Sequence, residues 1–180
     1  GSFGSRRPDR RFFSSVRGSD ITTAIYNRIA VDASGVSIRH VKLDKNGRFS
    51  TNVSSGLNNC LTLEANIDQN ATAFRQDIFQ TMLEEGTVVV VPTNTDDDPD
   101  ETSTFSIETM RVGTVLEFRA NFLLVRCFDD RYNRFEDLWL PKSFVAPVEN
   151  PFYAVMNDNQ GTLKRLVRKI RLLDAVDEMI

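Results

Sequence analysis

One histidine and two cysteines in 180 residues leave little material for the chemistries that depend on them. Any Ser-His-Asp or Cys-His site would have to use His40, and nothing in its neighbourhood favours that. A lone histidine in a strand is more often a packed or surface residue than a catalyst. The chain holds no GxGxxG, P-loop, GxSxG, HExxH or paired CxxC pattern. Picking two carboxylates for acid–base work from 25 Asp and Glu is uninformative. No run of about 18 apolar residues is present, so no membrane helix is expected, and no secretory leader is read. Cys60 and Cys127 lie in apolar segments and read as reduced core thiols rather than a disulfide or ligands, which suits a reducing compartment. The lone tryptophan, Trp139, reads as a core or sheet-face residue rather than a ligand platform. No catalytic residue, metal ligand or cofactor site is assigned.

What is present describes a soluble globular chain. Hydrophobic residues make up 41% and charged residues 26%, enough for one packed domain and too apolar for disorder. The net charge of −3 gives no overall pull towards nucleic acid, yet the charge is unevenly placed. Residues 1–17 hold five arginines against Asp9 alone, whereas residues 84–101 hold seven acids and no base.

The chain is organised around Leu61 to Pro92. A loop leads to Asn70 or Thr72, either of which can cap the backbone N–H groups of a following helix. Phe74, Ile78, Phe79, Met82 and Leu83 then recur at helical spacing, and Arg75, Gln76, Asp77, Gln80, Glu84 and Glu85 take the other face. Gly86 suits the left-handed residue that ends a helix. Thr87 to Val91 reads as a strand buried on both faces and stopped by Pro92.

Around this centre, Ser19 or Asp20 can cap an earlier helix with Ile21, Ala24, Ile25, Arg28, Ile29 and Asp32 on one stripe, flanked by Tyr26 and Asn27. Val36 to Leu43 and Arg48 to Ser50 read as a hairpin closed by Asp44-Lys45-Asn46-Gly47. Leu57, Cys60, Leu61 and Leu63 suggest a short helix. Downstream, strands are expected at Phe105 to Ile107, Val112 to Arg119, Phe122 to Phe128, Leu138 to Leu140 and Phe144 to Ala146, with Pro141, Pro147 and Pro151 at their ends. Asp96, Asp97, Asp98 and Asp100 read as a solvated loop, because consecutive acids point apart and the EF-hand pattern fails. From Thr162 to Ile180 one amphipathic helix carries Lys164, Arg165, Arg168, Lys169 and Arg171 early and acids late, against the helix dipole. It reaches Ile180 without a stop signal, so the chain is expected to be part of a longer one.

The resulting expectation is an α+β protein, with helices packed on a mixed, mainly antiparallel sheet and a long amphipathic helix at the end. Residues 1–18 form a basic arm, 19–160 the domain and 161–180 the start of the long helix. In order and spacing, four stretches resemble the portal proteins of tailed bacteriophages in their siphovirus-like form. They are AIYNRIAVDASGVSIRHVKLDKNGRF at Ala24 to Phe49, LNNCLTLEANIDQNATAFRQDIFQTMLEEG at Leu57 to Gly86, MRVGTVLEF at Met110 to Phe118 and LPKSFVAPVENPFYAVMNDNQGTLKRLVRKIRLLDAVDE at Leu140 to Glu178.

The resemblance implies a structural subunit, not an enzyme, of a ring of usually twelve copies at one capsid vertex. Double-stranded DNA is pumped through such a ring by a terminase, and head–tail connector proteins later seat on it. Implied partners are other copies of the chain, the major capsid protein, connector, terminase and the passing DNA. The implied location is the virion, with assembly in the host cytoplasm and no membrane. This chain would be the wing-side portion, with stem and clip beyond Ile180. Contacts with neighbours or capsid are then expected at Arg6, Arg7, Arg10, Arg11, Lys164, Arg165, Arg168 and Lys169, with the acidic loop as a counterpart. Rival readings are a nucleic-acid-binding module using the arginine arm, a metal-dependent nuclease using the four aspartates, or another virion assembly protein.

Overall fold

The computed structural model describes residues 20–96 and 106–151, and the protein is α+β. The basic arm and the long terminal helix expected at 161–180 lie outside the described residues.

Helix α1 (Asp20–Ser34) is followed by the hairpin β1 (Val41–Leu43) and β2 (Phe49–Asn52). The turn forms as its sequence asks. The Asp44 carboxylate accepts the backbone N–H groups of Asn46 and Arg48, and Gly47 takes a φ of 75°. Helix α2 (Gly56–Thr62) comes next, capped by Ser55. The expected loop before the central helix instead holds a small antiparallel pair, β3 (Glu64–Asn66) and β4 (Gln69–Asn70). Asn66 builds it, because its amide donates to Gln69 Oε1 and the Met110 carbonyl while its own oxygen accepts from Asp68 N–H. Helix α3 (Ala71–Glu85) starts where Asn70 accepts the Ala73 N–H at 2.8 Å and ends at Gly86 with φ 84°.

Five strands make the main sheet: β5 (Thr87–Thr95), β6 (Ile107–Phe118), β7 (Phe122–Asp129), β8 (Arg134–Pro141) and β9 (Ala146–Glu149). Their order is β8-β7-β6-β5-β9, with every neighbouring pair antiparallel. Strand β5 lies between β6 and β9, and its Val88, Val89 and Val91 are buried, as a β-branched run covered on both sides should be. One face carries Cys60, Ala65, Phe74 and Met110, with Val90, Val112 and the helices. The other carries Val89, Val91, Leu123, Val125, Cys127 and Val145, with Val115, Leu140 and Phe144.

Several expectations are corrected. Strand β5 runs through Pro92 to Thr95 rather than stopping there. Strand β9 pairs only Thr87 to Val90, so Pro92 lies beyond its reach, where a missing donor costs no bond to β9. The two strands expected at 105–107 and 112–119 are one 12-residue strand, β6. Leu138 to Leu140 is only the end of the longer β8. Phe144 and Val145 are not strand residues; they pack on the sheet, and β9 begins at Ala146 with Pro147 inside it. In α1, the stripe expected to include Ala24, Ile25 and Ile29 faces outward, while Tyr26, Ala30 and Ser34 are buried. The small Ala30 and Ser34 recur at four-residue spacing and let α1 lie close to α3.

Candidate functional site

Three polar constellations stand out among the described residues, and each is tied down by its local structure. The most enclosed surrounds Arg111 of β6. Its side chain is only 3% exposed. Its guanidinium donates to Asp68 of the β3–β4 turn at 2.6 Å and through two nitrogens to both carboxylate oxygens of Asp130. The same group lies 5.0 Å from the centre of the Phe128 ring. Burial works to lower the Arg111 pKa, but the hydrogen bonds and charges of Asp130 and Asp68 outweigh it and the pKa is raised. A guanidinium in this state keeps its proton throughout the working pH range, so it clamps rather than transfers protons. In the sequence Arg111 falls between the strands expected at 105–107 and 112–119. A single arginine inside an apolar strand was the available signal.

The second constellation is Arg75, expected on the outer face of α3 and found 8% exposed. Its Nε donates to the Ser34 carbonyl at 2.9 Å, Nη1 to the Leu61 carbonyl at 2.6 Å and Nη2 to Thr72 Oγ1 at 3.3 Å. It therefore joins the end of α1, the end of α2 and its own helix. Helical periodicity assigns a charge to the wet face by default. It cannot register that two helix ends leave carbonyls needing donors.

The third joins His40 to α2. His40 Nδ1 lies 2.8 Å from Ser55 Oγ, and that oxygen accepts the Asn58 N–H as the helix cap. Asn58 Oδ1 in turn accepts the His40 backbone N–H at 3.1 Å. A Ser–His contact invites a nucleophile reading, but this hydroxyl is committed to a helix cap. The group fastens the base of the hairpin to α2.

The remaining sequence candidates fall as follows. Asp96 accepts the Ser106 N–H and closes the strand ends, while Asp97, Asp98 and Asp100 lie outside the described residues. Among the described residues, no group of three or more His, Cys, Asp or Glu is placed to hold a metal ion. Cys60 and Cys127 are free and buried. Burial raises the Cys60 pKa and pushes the Cys127 thiol up to about 11, only partly countered by Arg111. Among the described residues, no helix is long and apolar enough to cross a membrane. Arg6, Arg7, Arg10, Arg11, Lys164, Arg165, Arg168 and Lys169 all lie outside the described residues.

Trp139 stands on a sheet face and is 42% exposed, with the Arg119 guanidinium 4.2 Å from its ring centre. Arg119 is held by Glu117, and Arg126 pairs with Asp137 across the strands through two hydrogen bonds. That bond lowers the Asp137 pKa and raises that of Arg126. A basic face for phosphates would leave its arginines unpaired; here they are matched with acids beside exposed aromatic rings.

No protein-family model matches the chain, and neither does any of the curated proteins compared with it.

Proposed function

We propose that the chain is the wing-side part of a structural subunit in a portal ring of a tailed bacteriophage. In that role it holds and guides DNA traffic rather than transforming a substrate. The observation that carries the reading is the order of portal-like stretches over most of the sequence, from Ala24 to Glu178. How those stretches fold supports it. Residues 24–49 span most of α1 and the hairpin as far as the start of β2, and residues 57–86 comprise most of α2, the β3–β4 pair and α3. Residues 110–118 fall within β6.

A second support is the amount of apolar side chain left at the surface. Val36, Leu43, Phe49, Leu63, Ile67 and Phe118 are each more than half exposed. Leu43 and Phe49 are cross-strand partners, and adjacent exposed apolar side chains mark contact surfaces. A subunit wedged between neighbours has such surfaces to cover.

Twelve copies would enclose the channel, and the capsid protein, connector and terminase would meet other parts of the ring. The basic side chains at Arg6, Arg7, Arg10, Arg11, Lys164, Arg165, Arg168 and Lys169 would set register between neighbours or against the capsid. Particle imaging and native mass measurement of the complete gene product test the reading. Closed rings of uniform subunit number are expected. A stable single copy that turns over a substrate would end it. Reversing the charge of Arg6, Arg7, Arg10 and Arg11 without effect on assembly or packaging would remove the role given to the arm.

A further inference from the structure

The β1–β2 hairpin is a separate two-stranded unit. Among the described residues its strands make extensive contact only with each other. Two strands alone are marginal in water, and the His40–Ser55–Asn58 fastening at its base fixes where this pair stands. Its charge is of one sign. Arg39, Lys42, Lys45 and Arg48 fall within ten residues and are all exposed, with Asp44 as the one acid among them. The Asp44 carboxylate serves the turn, accepting the Asn46 and Arg48 N–H groups at 2.8 and 2.9 Å.

These four bases are also unmatched. Elsewhere Arg28, Arg119, Arg126 and Arg134 each hold a carboxylate at 2.9 Å or less, and Arg111 lies between two of them. Arg75 donates to the Ser34 and Leu61 carbonyls. Among the described residues, none of the four hairpin bases pairs with a carboxylate. Arg131 and Lys142, likewise without an acid partner, stand singly in separate turns. The hairpin therefore concentrates uncompensated positive charge on a chain whose net charge is −3. The register shows where it points. Lys42 faces Thr51 and Leu43 faces Phe49, so the two pairs lie on opposite sides of the hairpin. The Asp44 N–H bonds to the Arg48 carbonyl, which carries the pairing one step further and sets Arg48 on the Lys42 side. Lys45 stands in the turn itself.

We infer that the β1–β2 hairpin binds the phosphate backbone of double-stranded DNA through Arg39, Lys42, Lys45 and Arg48. A two-stranded ribbon enters the major groove of B-DNA, about 12 Å wide, with phosphates on either side of it. The major groove of duplex RNA is too narrow to admit it. A single strand is gripped by stacking successive bases on aromatic rings, and Phe49 is the one ring the hairpin carries. A lipid surface would want the apolar side chains foremost. Here the turn is Asp44-Lys45-Asn46-Gly47, and Ser50, Thr51 and Asn52 of β2 are exposed polar residues. Contacts of this kind fix position on the duplex and carry no sequence preference. The inference rests on the ring reading for the duplex to be met, and names the surface that meets it.

The test uses the complete gene product and a mixed-sequence duplex, with affinity followed by fluorescence anisotropy from about 50 to 200 mM salt. Each phosphate contact adds about 0.9 to the slope of log affinity against log salt. R39Q/K42Q/K45Q/R48Q should flatten that slope by about 3–4, so the unaltered protein loses about 100-fold more affinity over the range. K45Q/R48Q should flatten it by about 2 and disturbs less of the hairpin, with circular dichroism unchanged. R119Q/R134Q removes bases that already hold carboxylates and should leave the slope as it was. A slope untouched by the hairpin variants, or flattened as much by R119Q/R134Q, overturns the inference. So does a hairpin effect seen with polyglutamate or anionic vesicles and not with the duplex. Closed rings whose DNA binding ignores the hairpin would remove this contact and leave the ring reading standing. A gene product without rings whose slope falls with the hairpin bases would do the reverse.

Discussion

Replacing Arg75 by methionine keeps most of the side-chain volume and removes the charged donors. The substitution leaves the Ser34 and Leu61 carbonyls without the guanidinium that now serves them at 2.9 and 2.6 Å. A hydrogen bond from a charged donor is worth about 1.5–3 kcal/mol, and a buried acceptor left unmatched costs about 1–3 kcal/mol. Against this, the mutant no longer desolvates a cation, which returns part of the loss. The balance is a destabilisation of about 2–4 kcal/mol in urea unfolding, with the m-value unchanged. The loss should be local first. Helix α1 meets the body mainly through α3, so amide exchange in α1 should rise before that of β5 or β6. Arg75→Lys should recover only part, because one ammonium cannot span both carbonyls. Thr72→Ala removes only the 3.3 Å partner and should cost under about 1 kcal/mol. A change below about 1 kcal/mol for Arg75→Met, or exchange rising equally in α1 and β6, would refute the assignment of Arg75 as the joint between three helices.

Three further outcomes follow from single positions. Gly56→Ala would set a Cβ 2.0 Å from the Ile107 carbonyl oxygen, where no side chain can yield, so α2 must shift; a loss of about 3 kcal/mol or more is expected, against about 1–3 kcal/mol for Gly113→Ala, whose clash is with the Val125 and Val89 methyls. Asn70→Ala removes the α3 cap and should cost about 1 kcal/mol by thermal or urea unfolding. The Cys127 thiol is raised from 9.0 to about 11, so its stabilising effect is complete below pH 9 and lost as pH rises towards 11. That loss is at most about 2–3 kcal/mol, and a Cys127→Ala variant, weaker overall, should show a shallower alkaline slope. Equal slopes in the two proteins would show that another group titrates.

Much of the backbone was legible because its signals are local. Asn70, Gly86 and Asp44-Lys45-Asn46-Gly47 place a cap, a helix end and a turn through their own backbone chemistry. The valines at 88–91 announce a strand covered on both sides. What failed depends on partners distant in sequence. The buried face of α1 is chosen by its fit against α3, so Tyr26 goes in and Ile29 stays out. Arg75 and Arg111 are buried because carbonyls and carboxylates from elsewhere meet them. Exposure of Phe49, Phe122 and Trp139 could not be read either, since each sits in a strand whose alternation predicts a covered side.

The passage from β8 to β9 limits the shape of the sheet. Four spacings of about 4.8 Å separate these outer strands, so a flat arrangement would hold them about 19 Å apart. From Pro141 to Ala146 the chain has five peptide steps, which fully extended reach about 18 Å. It is not fully extended, since the Phe144 N–H turns back to the Pro141 carbonyl. The two rims must therefore bend towards one another, and the valine-lined side becomes the inside of a trough with Phe144 and Val145 drawn across its mouth. Removing one residue from 142–145 would tighten that cord past its length, and β9 would have to release β5.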